Sequence, residues 1–228
     1  MRILVVTATD PEIAPVVTAC TPVRGTTPDP RVRRFSRGPH DIDVLTTGVG
    51  MVATAVWCAR VLATGSYGLA LNAGVCGSFD TSLGPGAVVH VTEDCLAELG
   101  VEDGDAFLSL QEVGLPGADD APFRGGRLRN ESPPANAALR ALPAARGITV
   151  NTVHGHEPSI ARARARFDPQ VESMEGAAFM YASLVNGTPF AQVRAVSNMV
   201  ERRNRAAWKI GEAVHNLGGT VLRILDQS

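Results

Sequence analysis

Residues 172–208 read ESMEGAAFMYASLVNGTPFAQVRAVSNMVERRNRAAW, and this stretch decides the fold. Met174, Ala177, Ala178, Tyr181, Ala182 and Val185 recur at three- and four-residue spacing, which predicts a helix with one apolar face and Glu175 at its mouth. Gly187, Thr188 and Pro189 stop that helix. PFAQVRAV then reads as a strand with little alternation, as expected where a parallel sheet is covered on both faces. Arg194, Ser197 and Asn198 would emerge at its C-terminal end, the edge at which open α/β sheets hold ligands.

Working outward, Arg2–Ala8 reads as a buried strand, followed by a helix that Pro11 can start and Asp10 can cap. Glu12 falls in its first turn, either as a solvated acid favoured by the helix dipole or as a functional carboxylate at the sheet edge. Val32–Phe35 and Ile42–Thr46 form a strand pair around Gly38 and Pro39. GVGMVA at 48–53 opens a helix to about Ala63 and matches a dinucleotide-binding turn. The acid expected about 20 residues on is missing, because Leu69, Ala70 and Leu71 stand there, which argues against NAD. Leu69–Ala73 is a further buried strand, and AGVCGSF follows it. Gly74 and Gly77 allow close backbone approach to a flat ligand. Cys76 is either a small packed residue between them or the nucleophile of an elbow-like turn.

Ala87–Thr92 is a strand, Ala135–Ala141 a short helix and Gly147–Val153 another strand. Residues 98–134, rich in Gly, Pro, Asp and Arg, form a variable excursion within one domain spanning 1–228. His154 and His156 invite a metal reading, but no third ligand stands at useful spacing, so no metal is implied. ARARAR at 161–166 reads as a solvated helix face. A last helix follows Asn198 directly and carries Val214, Leu217, Val221, Leu222 and Leu225.

The 228 residues, 45% of them hydrophobic, suffice for one core of ordinary size. A net charge of −2 provides no drive toward nucleic acid or anionic membrane. The four cysteines are scattered without a C-x-x-C pair, as in a reduced, cytoplasmic protein. No run reaches the roughly 18 apolar residues of a membrane span.

Met174-Glu175 at a helix start and Ser197-Asn198 at a strand end together resemble the nucleoside phosphorylase and nucleosidase superfamily. Within it, SMEGAAF followed by RAVSNMVERRNRAAWKI is most similar to the futalosine hydrolase family of the alternative menaquinone pathway. The resemblance implies a three-layer α/β/α sandwich around a mixed, largely parallel sheet. It also implies a homo-oligomer, dimer or larger, with a small-molecule nucleoside as substrate and no cofactor. By the same resemblance Glu175 holds the ribose with Met174 packed on it, and Glu12 activates the attacking water. Gly48 and Gly50 line the sugar side, and Cys76 and Gly77 form a wall of the base pocket. Arg194 and Ser197 support the water and the strand end, and Asn198 meets the base. An aromatic expected in the loop after residue 153 is absent before Phe167, so the stacking partner is not identified.

Cleaving a ribosyl–purine bond builds positive charge on the sugar and negative charge on the base, so a site needs an acceptor beside the sugar and donors at the base. An amide at 198 can donate to a 6-oxopurine, whereas the adenine-cleaving relatives carry Asp. Val75 stands where a phosphorylase would need a hydroxyl donor, favouring water over phosphate, although Arg194 remains available to an anion. A phosphorylase, an adenine-specific nucleosidase and a non-catalytic nucleoside-binding module remain as alternatives.

Overall fold

A computed structural model describes every residue except 26, 28, 116 and 118, the last two of which lie in the 98–134 excursion. The chain opens with β1 (Arg2–Thr7), α1 (Asp10–Thr18), β2 (Thr21–Pro22), β3 (Val32–Arg37), β4 (His40–Thr46) and α2 (Met51–Thr64). It continues through β5 (Leu69–Ser78), β6 (Val88–Asp94), β7 (Gly100–Asp103), β8 (Ala106–Ser109), β9 (Leu128–Arg129), α3 (Ala137–Arg140) and β10 (Ala144–Thr149). It ends with α4 (Glu157–Phe167), β11 (Val171–Ser173), α5 (Gly176–Val185), β12 (Phe190–Met199) and α6 (Ile210–Asp226).

Ten strands form one sheet in the order β11-β10-β6-β12-β5-β1-β4-β3-β2, with β9 beside β6. The central pairings β12–β5, β5–β1 and β1–β4 are parallel. β12 meets β6 antiparallel, which makes the sheet mixed. β1 shows why such strands lack alternation. Ile3 and Val5 join a core with Ile13, Leu217 and Val221 of α1 and α6, while Leu4 and Val6 join one with Leu62, Phe179 and Met180 of α2 and α5. Both faces are therefore covered, giving the three-layer sandwich.

Several boundaries differ from the sequence expectation. Residues 176–180 of α5 are all buried, as are Ala182 and Ser183, while Tyr181 and Val185 remain exposed. The expected single apolar face is thus a helix buried nearly all round, wedged between α2 and the sheet, and it has no polar stripe to show otherwise. α6 starts at Ile210 instead of directly after Asn198, because 200–209 is charged and lacks helical periodicity; only a 3₁₀ turn forms there, at Arg205–Ala207. β5 runs five residues beyond Ala73, to Ser78, and β10 lies three residues earlier than expected. Thr9, not Asp10, is the residue that caps α1. The excursion contains the β7–β8 hairpin, turned at Gly104 with φ +61°; its Asp103-Gly104 pair was a readable turn signal.

Sheet geometry places the ligand edge. β11, besides pairing with β10, pairs antiparallel with the end of β5 so that Glu172 stands opposite Gly77. The ends of β5, β11 and β12 therefore converge with the start of α1. Among the described residues no helix is long and apolar enough to cross a membrane.

Candidate active site

A cavity of about 330 Å³ opens at that convergence. Clefts elsewhere, one between 119–132 and the end of α5 and one beneath the β7–β8 hairpin, do not bring together carboxylates from several strand ends. Of the residues expected to form a site, Glu12, Cys76, Gly77, Met174, Glu175, Ser197 and Asn198 all line this cavity. Gly48, Gly50 and Arg194 do not, and they lie behind its wall or beside it.

Glu12 is oriented by the cap of its own helix. Its Oε2 accepts hydrogen bonds from Thr9 N–H at 3.0 Å and Thr9 Oγ at 2.7 Å, the carboxylate half of a capping box. Its Oε1 accepts from Val75 N–H at 3.0 Å, tying α1 to β5. Three donors thus hold one carboxylate at the cavity wall.

Glu175 caps α5 and is buried, and its Oε1 accepts a hydrogen bond from Gly50 N–H at 3.0 Å. Gly50 has φ +99°, a backbone region that side-chain-bearing residues rarely adopt, and this turn aims its N–H at the carboxylate. Gly50, which does not itself line the cavity, thus contacts Glu175 through its backbone.

Arg194 lies deeper than the sequence suggested. Only 1% of its side chain is exposed; its guanidinium donates to Asn72 Oδ1 and to Gln192 Oε1 at 3.1 Å, and it lies 3.7 Å from Glu175 Oε2. A buried cation needs such partners. Its side chain does not line the cavity. Gly74 makes this possible: a Cβ there would overlap Arg194 Nη1 and stand 3.2 Å from Glu12 Oε1.

The polar layer continues behind Arg194. Gln192 Nε2 donates to Asp94 Oδ2 at 3.1 Å, and Asp94 Oδ1 accepts from Thr149 Oγ and from Cys95 N–H. Burial pushes the Asp94 carboxyl up to about 6, against the opposing pull of those hydrogen bonds and of Arg194. A folded acid whose pKa is raised binds protons more tightly than the unfolded chain, so its contribution to stability is present at low pH and fades between about 4 and about 6. The size is about 3 kcal/mol at one pKa unit per 1.36 kcal/mol. The difference in unfolding free energy between wild type and Asp94→Asn should therefore change across that window; a pH-independent difference in urea titrations would refute this.

At the other end, three residues and roughly 10 Å along β5, the wall is Cys76, Gly77, Ser197 and Asn198. Cys76 is buried in mid-strand, since β5 continues to Ser78, so no strand-to-helix elbow forms at it, and burial also pushes its thiol up to about 12. The one Ser197 Oγ–H is shared between Cys76 O at 3.1 Å and Asn198 Oδ1 at 2.8 Å, while Asn198 Nδ2 donates to Met199 O at 2.9 Å. Two residues that the sequence reading did not assign to the site stand here as well. Glu172 is buried, and His154 Nδ1 meets its Oε2 at 2.6 Å. His156 instead precedes the first turn of α4, so the two histidines do not face a common point. Among the described residues no group of three or more His, Cys, Asp or Glu is placed to hold a metal ion.

The mouth is formed by Glu201, Arg203, Asn204, Trp208, Ile210 and Val214. Arg203 is the one arginine at the cavity wall, and its guanidinium carbon lies 5.5 Å from the Trp208 ring centre. Of Arg24, Arg202 and Arg203, between which charge alone could not choose, only the last reaches the cavity.

The chain belongs to the phosphorylase superfamily, whose family model matches residues 2–226. A futalosine hydrolase of Streptomyces coelicolor is 33% identical over 229 residues, covering 97% of this chain and 94% of the relative. Another, from Thermus thermophilus, is 33% identical over 182 residues, covering 79% and 80%. The solved 5'-methylthioadenosine/S-adenosylhomocysteine nucleosidase of Colwellia psychrerythraea, in complex with adenine, shares the fold with a TM-score of 0.82 at 23% identity over 100% of this chain and 95% of that one.

Proposed function

We propose that the protein is an N-glycosyl hydrolase that cleaves futalosine to hypoxanthine and dehypoxanthine futalosine, a step of the alternative menaquinone pathway. One observation carries water over phosphate as the nucleophile. Two carboxylates, Glu12 and Glu175, flank the sugar end, and the cation nearest them, Arg194, is 1% exposed, with Nε and Nη2 committed to Gln192 and Asn72 and Nη1 beside Glu175. A phosphate dianion there would meet two carboxylates with no hydroxyl donor from Val75 and only the edge of one buried guanidinium, whereas water needs only an acceptor for its proton.

Glu12 takes that proton as water attacks the anomeric carbon. Glu175 accepts hydrogen bonds from the ribose hydroxyls and opposes the positive charge on the sugar, with Met174 packed against the ring. Ser197 and Asn198 face the base, and Cys76 with Gly77 gives it a flat wall. At the mouth Trp208 and Arg203 suit an apolar substrate tail ending in a carboxylate, which a guanidinium can grip with two hydrogen bonds. The chain works as a homo-oligomer: Val49, in the turn before α2, lines the cavity yet is 57% exposed, and with Val52 and Val56 of α2 it forms an apolar patch for a second copy to cover; its scattered cysteines suit the cytoplasm.

Base release from futalosine, inosine and methylthioadenosine, each with and without phosphate, tests this. The expected result is phosphate-independent hypoxanthine from futalosine, with the same preparation sedimenting as a dimer or larger. Phosphate-dependent cleavage of inosine, or adenine from methylthioadenosine in preference, would overturn the activity; a sedimenting monomer would remove the second copy.

A further inference from the structure

We propose that Asp94, Thr149 and Gln192 form a buried ring that positions Glu175 and frees its carboxylate for the sugar. This rests on the purine nucleosidase reading above. Glu175 is the N-cap of α5, a place where a side chain normally accepts a backbone N–H from the first helical turn. Its carboxylate makes no such bond and turns instead to Gly50 N–H and the cavity. Gly176 and Ala177 are buried, so the N–H groups left open there need other acceptors. Thr149 and Ser173, register partners at the ends of β10 and β11, provide them: their hydroxyls accept Ala177 N–H at 2.7 Å and Gly176 N–H at 3.2 Å.

A buried hydroxyl that accepts must also place its own proton, and Thr149 Oγ–H goes to Asp94 Oδ1 at 3.1 Å, an oxygen shared with Cys95 N–H. Asp94 Oδ2 accepts from Gln192 Nε2 at 3.1 Å, Gln192 Oε1 accepts from Arg194 Nε at 3.1 Å, and Arg194 Nη1 lies 3.7 Å from Glu175 Oε2. Two arms therefore run from Asp94 to one residue. The first holds the backbone beside Glu175, and the second sets the guanidinium beside its carboxylate. The start of the helix lies tight against the ring, since a Cβ at Gly176 would overlap both Gln192 Oε1 and Asp94 Oδ2.

Asp94, Thr149 and Gln192 are at most 1% exposed and do not line the cavity, so they act as positioning residues. In so dry a setting each lost partner leaves a polar group unpaired. A carboxylate that must oppose charge growing on the sugar works best when it is already in place and need not reorganise as the bond breaks. Thr149→Val keeps the shape and removes the hydroxyl, which leaves Ala177 N–H unpaired and cuts the first arm. Asp94→Asn cuts the second: with its oxygen still on Thr149 and Cys95 N–H, its amide nitrogen faces Gln192 Nε2, donor to donor.

The test is carried out on the full chain with futalosine at about pH 8, where Asp94, at about 6, is ionised. Each variant should lower kcat/KM about 10- to 10²-fold and weaken inhibition by dehypoxanthine futalosine, which carries the ribose, at least about fivefold. Inhibition by free hypoxanthine should stay within about threefold of wild type, because Ser197 and Asn198 make their hydrogen bonds outside the ring. Thr149→Ser, which keeps the hydroxyl, should return all three values to within about threefold of wild type. A wild-type kcat/KM in Thr149→Val and Asp94→Asn, equal weakening of both inhibitors, or no recovery in Thr149→Ser would overturn the inference and leave the hydrolase reading intact. Should Thr149→Val not fold, Asp94→Asn carries the same comparison of the two inhibitors. Wild type that releases no base from futalosine would overturn both.

Discussion

Glu12→Gln should leave a folded protein that still binds its substrate while kcat falls about 10²–10⁴-fold, the range supplied by a positioned base. The amide matches the carboxylate in shape and can keep an acceptor toward Thr9 or Val75, the groups that fix Glu12. It cannot take a proton from water. One of its two ends must present N–H to a backbone or hydroxyl donor, at about 1–3 kcal/mol of stability. Equilibrium dialysis of substrate beside steady-state turnover separates the two effects. Unchanged turnover would remove Glu12 from the mechanism and would fit a nucleoside-binding module without catalysis.

Gly74→Ala should be nearly as damaging although it adds one methyl group and touches no substrate. The new Cβ would overlap Arg194 Nη1 and crowd Glu12 Oε1, and Arg194 has no space to retreat, being held by Asn72 and Gln192 in the interior. Overpacking of this kind costs about 1–3 kcal/mol. Displacing a catalytic carboxylate by about 1 Å costs about 10²-fold in rate. Urea titration and kcat/KM report the two losses, and kcat/KM within threefold of wild type would show that the Gly74 contact does not set the geometry of the site. The effect separates from that at Glu12, because here Glu12 and, through Arg194, Glu175 shift together.

Much of the architecture follows from local pattern. Strands such as β1 and β12, apolar at successive positions, already required cover on both faces, and the family resemblance added the three-layer sandwich around a mixed sheet. The Gly, Pro and Ser-Asn punctuation placed most strand ends within a few residues. Glu12, Met174, Glu175, Ser197 and Asn198 each stand where an element begins or ends, near the ligand edge of an α/β sheet, but it was the family resemblance that singled them out among other polar residues so placed. Where charge and turn residues crowd together without periodicity, as in 98–134 and 200–209, local pattern had little to say.

What the chain's own order could not determine was which of these polar groups face the cavity and which stand behind it. Arg194 sits on the same strand as Ser197 and Asn198, yet it is buried among Asn72, Gln192 and Glu175, which arrive from 122, 2 and 19 residues away. The pairing of His154 with Glu172 likewise depends on β11 turning back onto the end of β5, a contact that no spacing in either segment reveals. Secondary structure is written in short-range sterics and hydrophobic periodicity, so sequence alone determined the layers. The partner of a buried charge is set by long-range packing in a low-dielectric interior, and only the folded chain decided that.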